Sequence, residues 1–164
     1  MFTLRKSRIE DLDRIAEIFA SARQRMKENG NPDQWKDDRP SLDLVREDIR
    51  KGNSYVVEDD GRVVATFAYI IGIEPTYLDI DGQWLSDNPY GTIHRIASDG
   101  SVRGIFELVL NFAESFGRDI RIDTHEDNTV MRHLLAKHGF IYCGIIIVDN
   151  GTKRLAFQKE LNNG

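Results

Sequence analysis

Residues Thr92–Phe106, TIHRIASDGSVRGIF, run from an apolar alternation into Ser, Asp, Gly and Ser, and the chain resumes from Arg103 as the helically spaced RGIFELVLNFAESFG. A buried strand that gives way to small and polar residues and then to an amphipathic helix is a strand-loop-helix unit. Its loop is either a plain connection or one whose backbone N–H groups must approach something closely. A Gly-containing loop before a helix offers free backbone donors and the positive end of the helix, which suits a phosphate. The two common nucleotide signatures are absent: there is no G-x-x-x-x-G-K-S/T string and no G-x-G-x-x-G after an early strand.

Outward from this unit the pattern is regular. Phe2–Lys6 reads as a first strand, and Ser7 with Glu10 has capping-box spacing ahead of a helix whose stripe is Leu12, Ile15, Ala16, Phe19 and Met26, with Gly30 just past its end. A polar, turn-rich stretch around Trp35 precedes a second helix from Ser41 to Lys51, with Leu42, Val45 and Ile49 inward and Gly52 as its stop. Two β-rich runs flank Asp60-Gly61, a hairpin signal. The segment IEPTYLDIDGQWLSDNPYG reads as an irregular insertion or a strand end. After the central helix, stopped by Gly117, DIRIDTH reads as a strand, and EDNTVMRHLLAKHG as a helix with Asp127 or Asn128 at its cap and Gly139 past its end. FIYCGIIIVDNGTKRLAFQKEL then reads as two strands around Asn150-Gly151. The order β-α-α-β-β-β-α-β-α-β-β implies a mixed α/β (α+β) sheet, antiparallel at first with crossover helices later.

At 164 residues the chain has the size of one domain, spanning 1–164, with no repeat or linker. The one cysteine, Cys143, rules out an internal disulfide framework. No segment has signal-peptide or membrane-span character, so the expectation is a soluble cytoplasmic protein with no membrane partner. A net charge of −5 argues against nucleic acid as a partner. His125, His133 and His138 lack metal-ligand spacing, THEDN is not H-E-x-x-H, and no metal is expected.

HRIASDGSVRGIF, followed by RIDTHEDNTVMRHLLAKHGFIYCG, resembles the GNAT superfamily of acyl-CoA-dependent N-acetyltransferases. Members carry a Q/R-x-x-G-x-G/A loop between a strand and a helix, then a strand, an Asn-led helix and a K-x-G-F end. Here these are Ser101-Val102-Arg103-Gly104-Ile105-Phe106, Asn128 and Lys137-His138-Gly139-Phe140. Ser101 and Phe106 depart from the family's loop ends. The resemblance covers nearly the whole chain and implies a mostly antiparallel sheet of about seven strands with about four helices. It also implies acetyl-CoA as cosubstrate. The loop amides would hold its pyrophosphate, with Ser98, Ser101, Val102, Arg103, Gly104, Ile105 and Phe106 at that end. Ile96 and Ala97 would pair with the pantetheine arm along a strand splayed from its neighbour, with Asn128, Met131 and Lys137 on the following helix.

The implied activity is N-acetyl transfer by direct attack of an amine of a small molecule or peptide. It needs a base, an oxyanion donor and a proton for the thiolate. Many members place a Glu two residues before the position of Ile96, and this chain has His94 there, expected to alternate with Arg95 across the strand. Backbone N–H groups near Ile96 or Ala97 are the oxyanion donors. The family's acid is often a Tyr just before x-K-x-G-F, where this chain has Leu135. Tyr142 is the candidate acid, beside Cys143, with water as a further proton source. Trp35, Tyr77, Trp84 and Tyr90 are candidate linings of an acceptor pocket, and Asp33, Asp37, Glu74, Asp79 and Asp81 would favour a cationic amine. A non-catalytic acyl-CoA-binding sensor is the alternative, and a homodimer is open to the chain.

Overall fold

The computed structural model describes residues 1–36, 39–149 and 151–161. Eight strands form one sheet: β1 (Phe2–Lys6), β2 (Ser54–Asp59), β3 (Arg62–Ile71), β4 (Asp81–Gly82), β5 (Tyr90–Ser98), β6 (Asp119–Thr124), β7 (Ile141–Ile147) and β8 (Lys153–Lys159). Their order is β1-β2-β3-β5-β6-β8-β7-β4. Every pairing is antiparallel except β5 with β6. That parallel pair needs a crossover, supplied by α3 (Ile105–Glu114). The other helices are α1 (Leu12–Glu28), α2 (Leu42–Arg50) and α4 (Thr129–Lys137).

The β2–β3 hairpin turns on Asp60 and Gly61 at φ 51° and 85°, the paired positive values that match the right-handed twist of the flanking strands. Val56 and Val57 are adjacent on β2 yet enter different core clusters, as a period of two requires. Val57 joins Phe67, Ile93 and Ile120 under Val109, Leu110 and Ala113 of α3. Val56 and Ala97 pack beneath Ile15, Ile18 and Phe19 of α1 and Val45 of α2. Helices thus cover both faces of the sheet around β2, β3 and β5.

Two local expectations change. The start of the first helix is organised by Asp11, not by a Ser7/Glu10 box: Asp11 accepts the Arg8 N–H at 2.7 Å and a two-pronged bond from Arg5, while Ser7 bonds Ser54. A 3-10 turn over Ile9–Asp11 therefore precedes α1. The irregular segment before Tyr90 contains a further 3-10 turn at Pro75–Tyr77 and the two-residue strand β4, which adds an eighth strand. Of the expected β7–β8 turn, Asn150 lies outside the described residues. No helix among the described residues is long and apolar enough to cross a membrane.

Candidate functional site

The site begins where the sheet comes apart. β5 pairs with β6 only from Tyr90 to Thr92, opposite Asp119 to Arg121, although β5 runs on to Ser98 and β6 to Thr124. Beyond Thr92 the backbone groups of β5 that face β6 have no strand partner. The other edge of β5 is irregular just beyond this point. Thr66 pairs with Ala97 and Ala68 with His94, so one extra residue of β5 is accommodated in a bulge, and Arg95 takes φ 54° within it. The expected alternation of His94 and Arg95 is interrupted at this point, because a bulge re-aims the residues it contains.

A groove follows the parting. At the loop end, a space of about 530 Å³ is bordered by Ile96, Ala97, Ser98, Arg103, Gly104, Ile105 and Phe106, and across it by Met131, Lys137 and His138. Gly104 is the N-cap of α3 at φ 83°, and a Cβ built on it meets nothing within 4 Å. The positive φ, not crowding from the protein, calls for glycine here. Ile105 and Phe106 are buried in the core, so what they offer the groove is backbone N–H in the first turn of α3, where helical partners are lacking. Val102 packs partly buried against the same core. Ser101 turns its N–H and hydroxyl to Asp99 Oδ1, at 2.9 and 2.5 Å. Arg25 of α1 donates to the Ser98 carbonyl, and the groove passes between α1 and α4 along Ile96, Asn128 and Met131.

The deep end is a cavity of about 120 Å³ bordered by Ile93, His94, Arg95 and Ile96 of β5, Ile122, Asp123 and Thr124 of β6, Asn128 and Met131, Gln34 and Trp35, and Arg154 of β8. His94 Nε2 lies 2.9 Å from Glu74 Oε1. The His94 hydrogen bond holds the Glu74 carboxyl below its ordinary value against the opposing effect of burial, and the Glu74 N–H donates to the Tyr90 hydroxyl at 2.8 Å. An ionised carboxylate only accepts, so Nε2 carries the proton and Nδ1 is the basic nitrogen. Tyr77 donates its hydroxyl to Asp123 Oδ2 at 2.6 Å, and burial, reinforced by the Asp123 charge, keeps that phenol protonated.

Gln34 closes the cavity roof. Its Oε1 accepts from Asn31 Nδ2 (3.0 Å), Thr124 Oγ1 (3.2 Å), the His125 N–H (3.3 Å) and Asn128 Nδ2 (3.0 Å). Asn128 therefore caps α4, accepting the Met131 N–H at 3.0 Å, while its own amide N–H is already engaged. Arg154 Nη2 donates to the Gln34 carbonyl at 2.9 Å.

The structure does not bring Tyr142 to this cavity. The strand order interposes β8 between β6 and β7, and Tyr142, 52 % exposed, borders a separate depression with His133 and Phe157. That placement sets Tyr142 apart from His94, across β8. Leu135 is fully buried in the core. Of the four aromatic candidates, Trp35 borders the cavity, whereas Tyr77, Trp84 and Tyr90 pack together, with Arg121 held 4.0 Å from the Trp84 and Tyr90 rings. Asp33, Asp79 and Asp81 are exposed, Glu74 is tied to His94, and Asp37 lies outside the described residues. Gln34, Asp123 and Arg154 escaped the sequence reading. Arg154 left one signal, a charge in phase with Ala156 and Gln158 on a strand. Among the described residues no cluster of three or more His, Cys, Asp or Glu is fit to hold a metal ion.

No protein-family model matches the sequence, and none of the curated proteins does. Solved structures do. An acetyltransferase of the GNAT family from Streptococcus agalactiae is 34% identical over 99% of this chain and 96% of its own, with a TM-score of 0.86. A GNAT-family acetyltransferase from Listeria monocytogenes, 23% identical over 98% of this chain and 95% of its own, shares the fold with a TM-score of 0.72. So does the NatC complex bound to Gag peptide and CoA, 15% identical over 98% of this chain and 99% of its own, with a TM-score of 0.60.

Proposed function

We propose that this chain, which belongs to the GNAT family of acetyltransferases, transfers an acetyl group from acetyl-CoA to a primary amine by direct attack. The observation that carries the reading is the groove itself, which leads from the N-terminus of α3 along the unpaired edge of β5 to the His94–Glu74 pair. A pyrophosphate suits the first end, because the Gly104 turn and the first turn of α3 offer N–H groups at a positive helix pole, with Arg103 and Lys137 beside them. An amide-containing arm suits the middle, where the free backbone groups of β5 lack a strand partner. A similar fold is recorded with CoA bound.

His94 Nδ1 takes the proton of the attacking amine, and Glu74 steadies the imidazolium that results. The N–C bond forms as the C–S bond breaks, and the backbone N–H groups of Ile96 and Ala97 face the developing oxyanion. The departing thiolate takes its proton from water. The buried Leu135 in place of a phenol is what keeps the second reading, a non-catalytic acyl-CoA-binding sensor, in view. Thiol release from acetyl-CoA across a panel of amines separates them. Amine-dependent release with the acetylated amine found by mass spectrometry is expected, and tight CoA binding with no transfer to any amine would establish the sensor instead.

A further inference from the structure

Beyond the cavity, on the side away from α3, lies an open pocket of about 490 Å³. Gln34, Trp35, Arg95 and Arg154 border both spaces, and none of the residues around this pocket borders the space at α3. An acceptor enters here if the groove holds the acetyl donor. Three guanidinium groups, those of Arg39, Arg95 and Arg154, surround the pocket against one carboxylate, that of the exposed Asp149. This is the reverse of the chain as a whole, whose net charge is −5.

The three arginines are not equivalent. Arg95 spends Nε and Nη2 on the two oxygens of Asp48, each at 2.8 Å, and its charge is met. Arg39 is exposed. Arg154 is 6 % exposed, and its hydrogen bonds go to neutral oxygens: Thr152 Oγ1, the Lys153 carbonyl and the Gln34 carbonyl. No described residue forms an ion pair with it. Burying a guanidinium without a bonded carboxylate is costly: burial lowers its basicity, the Asp123 charge opposes that in part, and the Arg39 charge lowers it further. An anion arriving in the pocket removes that cost.

We infer that the acceptor is a small amine carrying an anionic group, a carboxylate or a phosphonate, which Arg154 and Arg39 hold while the amine projects into the cavity beside His94. Arg154 borders both spaces, so the anion and the nitrogen are separated by only a few bonds. The same positive charge repels a second ammonium group and favours the neutral, attacking form of the first. This assignment rests on the acetyl-transfer reading for its chemistry, but its recognition step is measurable without turnover.

The test uses four matched compounds: an aminocarboxylate, its aminophosphonate, its primary amide and a diamine of equal length. Each is assayed for kcat/KM at saturating acetyl-CoA, and for binding to the CoA-loaded protein by calorimetry. Arg154→Gln and the exposed-site variant Arg39→Gln are measured alongside. The anionic compounds should exceed the amide by about 10- to 100-fold, as a charge-assisted hydrogen bond implies, with the diamine weakest. Arg154→Gln should erase the preference and Arg39→Gln reduce it, both through KM or Kd, with CoA affinity kept. Should Arg154→Gln not fold, the Arg39→Gln shift decides. Equal use or binding of amide and carboxylate, or preference for the diamine, overturns the inference. Anion-selective binding without turnover upholds it while removing the acetyl-transfer reading.

Discussion

Replacing Gly104 by alanine separates what the fold needs from what the groove needs. The residue sits at φ 83° with open space where a Cβ would go, so no protein atom resists the methyl group. The left-handed conformation costs a non-glycine residue roughly 1–2 kcal/mol, and alanine regains about 0.4–1 kcal/mol through a less flexible unfolded chain. A net loss of about 1 kcal/mol lowers the Tm of a chain this size by about 2–4 °C. If the turn cradles a pyrophosphate, the same methyl group enters the ligand's space, and a loss of affinity of at least about tenfold is expected, equal to about 1.4 kcal/mol. At a CoA concentration about 100 times the wild-type Kd, binding stabilises the fold by about 2.7 kcal/mol, and a tenfold weaker site yields only about 1.4 kcal/mol. Thermal denaturation with and without CoA therefore reads both effects: a small fall for the free protein, and a CoA-induced shift cut to about half. A variant with the small fall but the full wild-type shift would refute the placement of the phosphates at α3.

His94→Ala should lower turnover by about 100- to 10,000-fold with CoA affinity retained, and the ascending limb of rate against pH should vanish with it; near-normal turnover with an unchanged profile excludes His94 as base. Asn128→Asp keeps an oxygen for the Met131 N–H but sets a carboxylate against Gln34 Oε1, so denaturant unfolding should show a loss of roughly 1–3 kcal/mol that a pure cap would not produce. Glu74 has a folded pKa below its ordinary 4.5 because of His94, so its contribution to stability is present above about pH 4.5 and disappears as the pH falls through the folded value. The stability gap between wild type and Glu74→Gln should accordingly close as the pH is taken below 4.5, and a gap independent of pH counts against the pair.

What could be read from the sequence was local. The strand-loop-helix unit, the Asp60-Gly61 hairpin, the Asn128 cap and the order of the longer elements each depend on residues a few positions apart, where periodicity and turn chemistry act. The roof and the acceptor side depend on distant pairs: Gln34 meets Asn128 across 94 positions and Arg154 across 120. No spacing rule reaches that far. Tyr142 lies away from the cavity for a related reason. Alternation governs which way a strand residue points, but whether its strand borders the groove is set by sheet order, and β8 intervenes. The capping box failed on chemistry, since Asp11 bonds the same turn and gains Arg5 as well.

Arg95 ties these pieces into one device. A residue with a Cβ held at φ 54° costs roughly 1–2 kcal/mol and persists only where its surroundings hold it. The holder is Asp48 of α2, which takes the guanidinium with two bonds of 2.8 Å while itself buried. The bulge so maintained lies just past Thr92, the last residue of β5 paired with β6, and it leaves His94 bordering the cavity on one side of Arg95 and Ile96 on the other. Nothing in α2 needs to touch a reacting atom for this to work. Its ion pair holds the strand where it borders the groove, and under the acetyl-transfer proposal that groove is where amine and thioester meet.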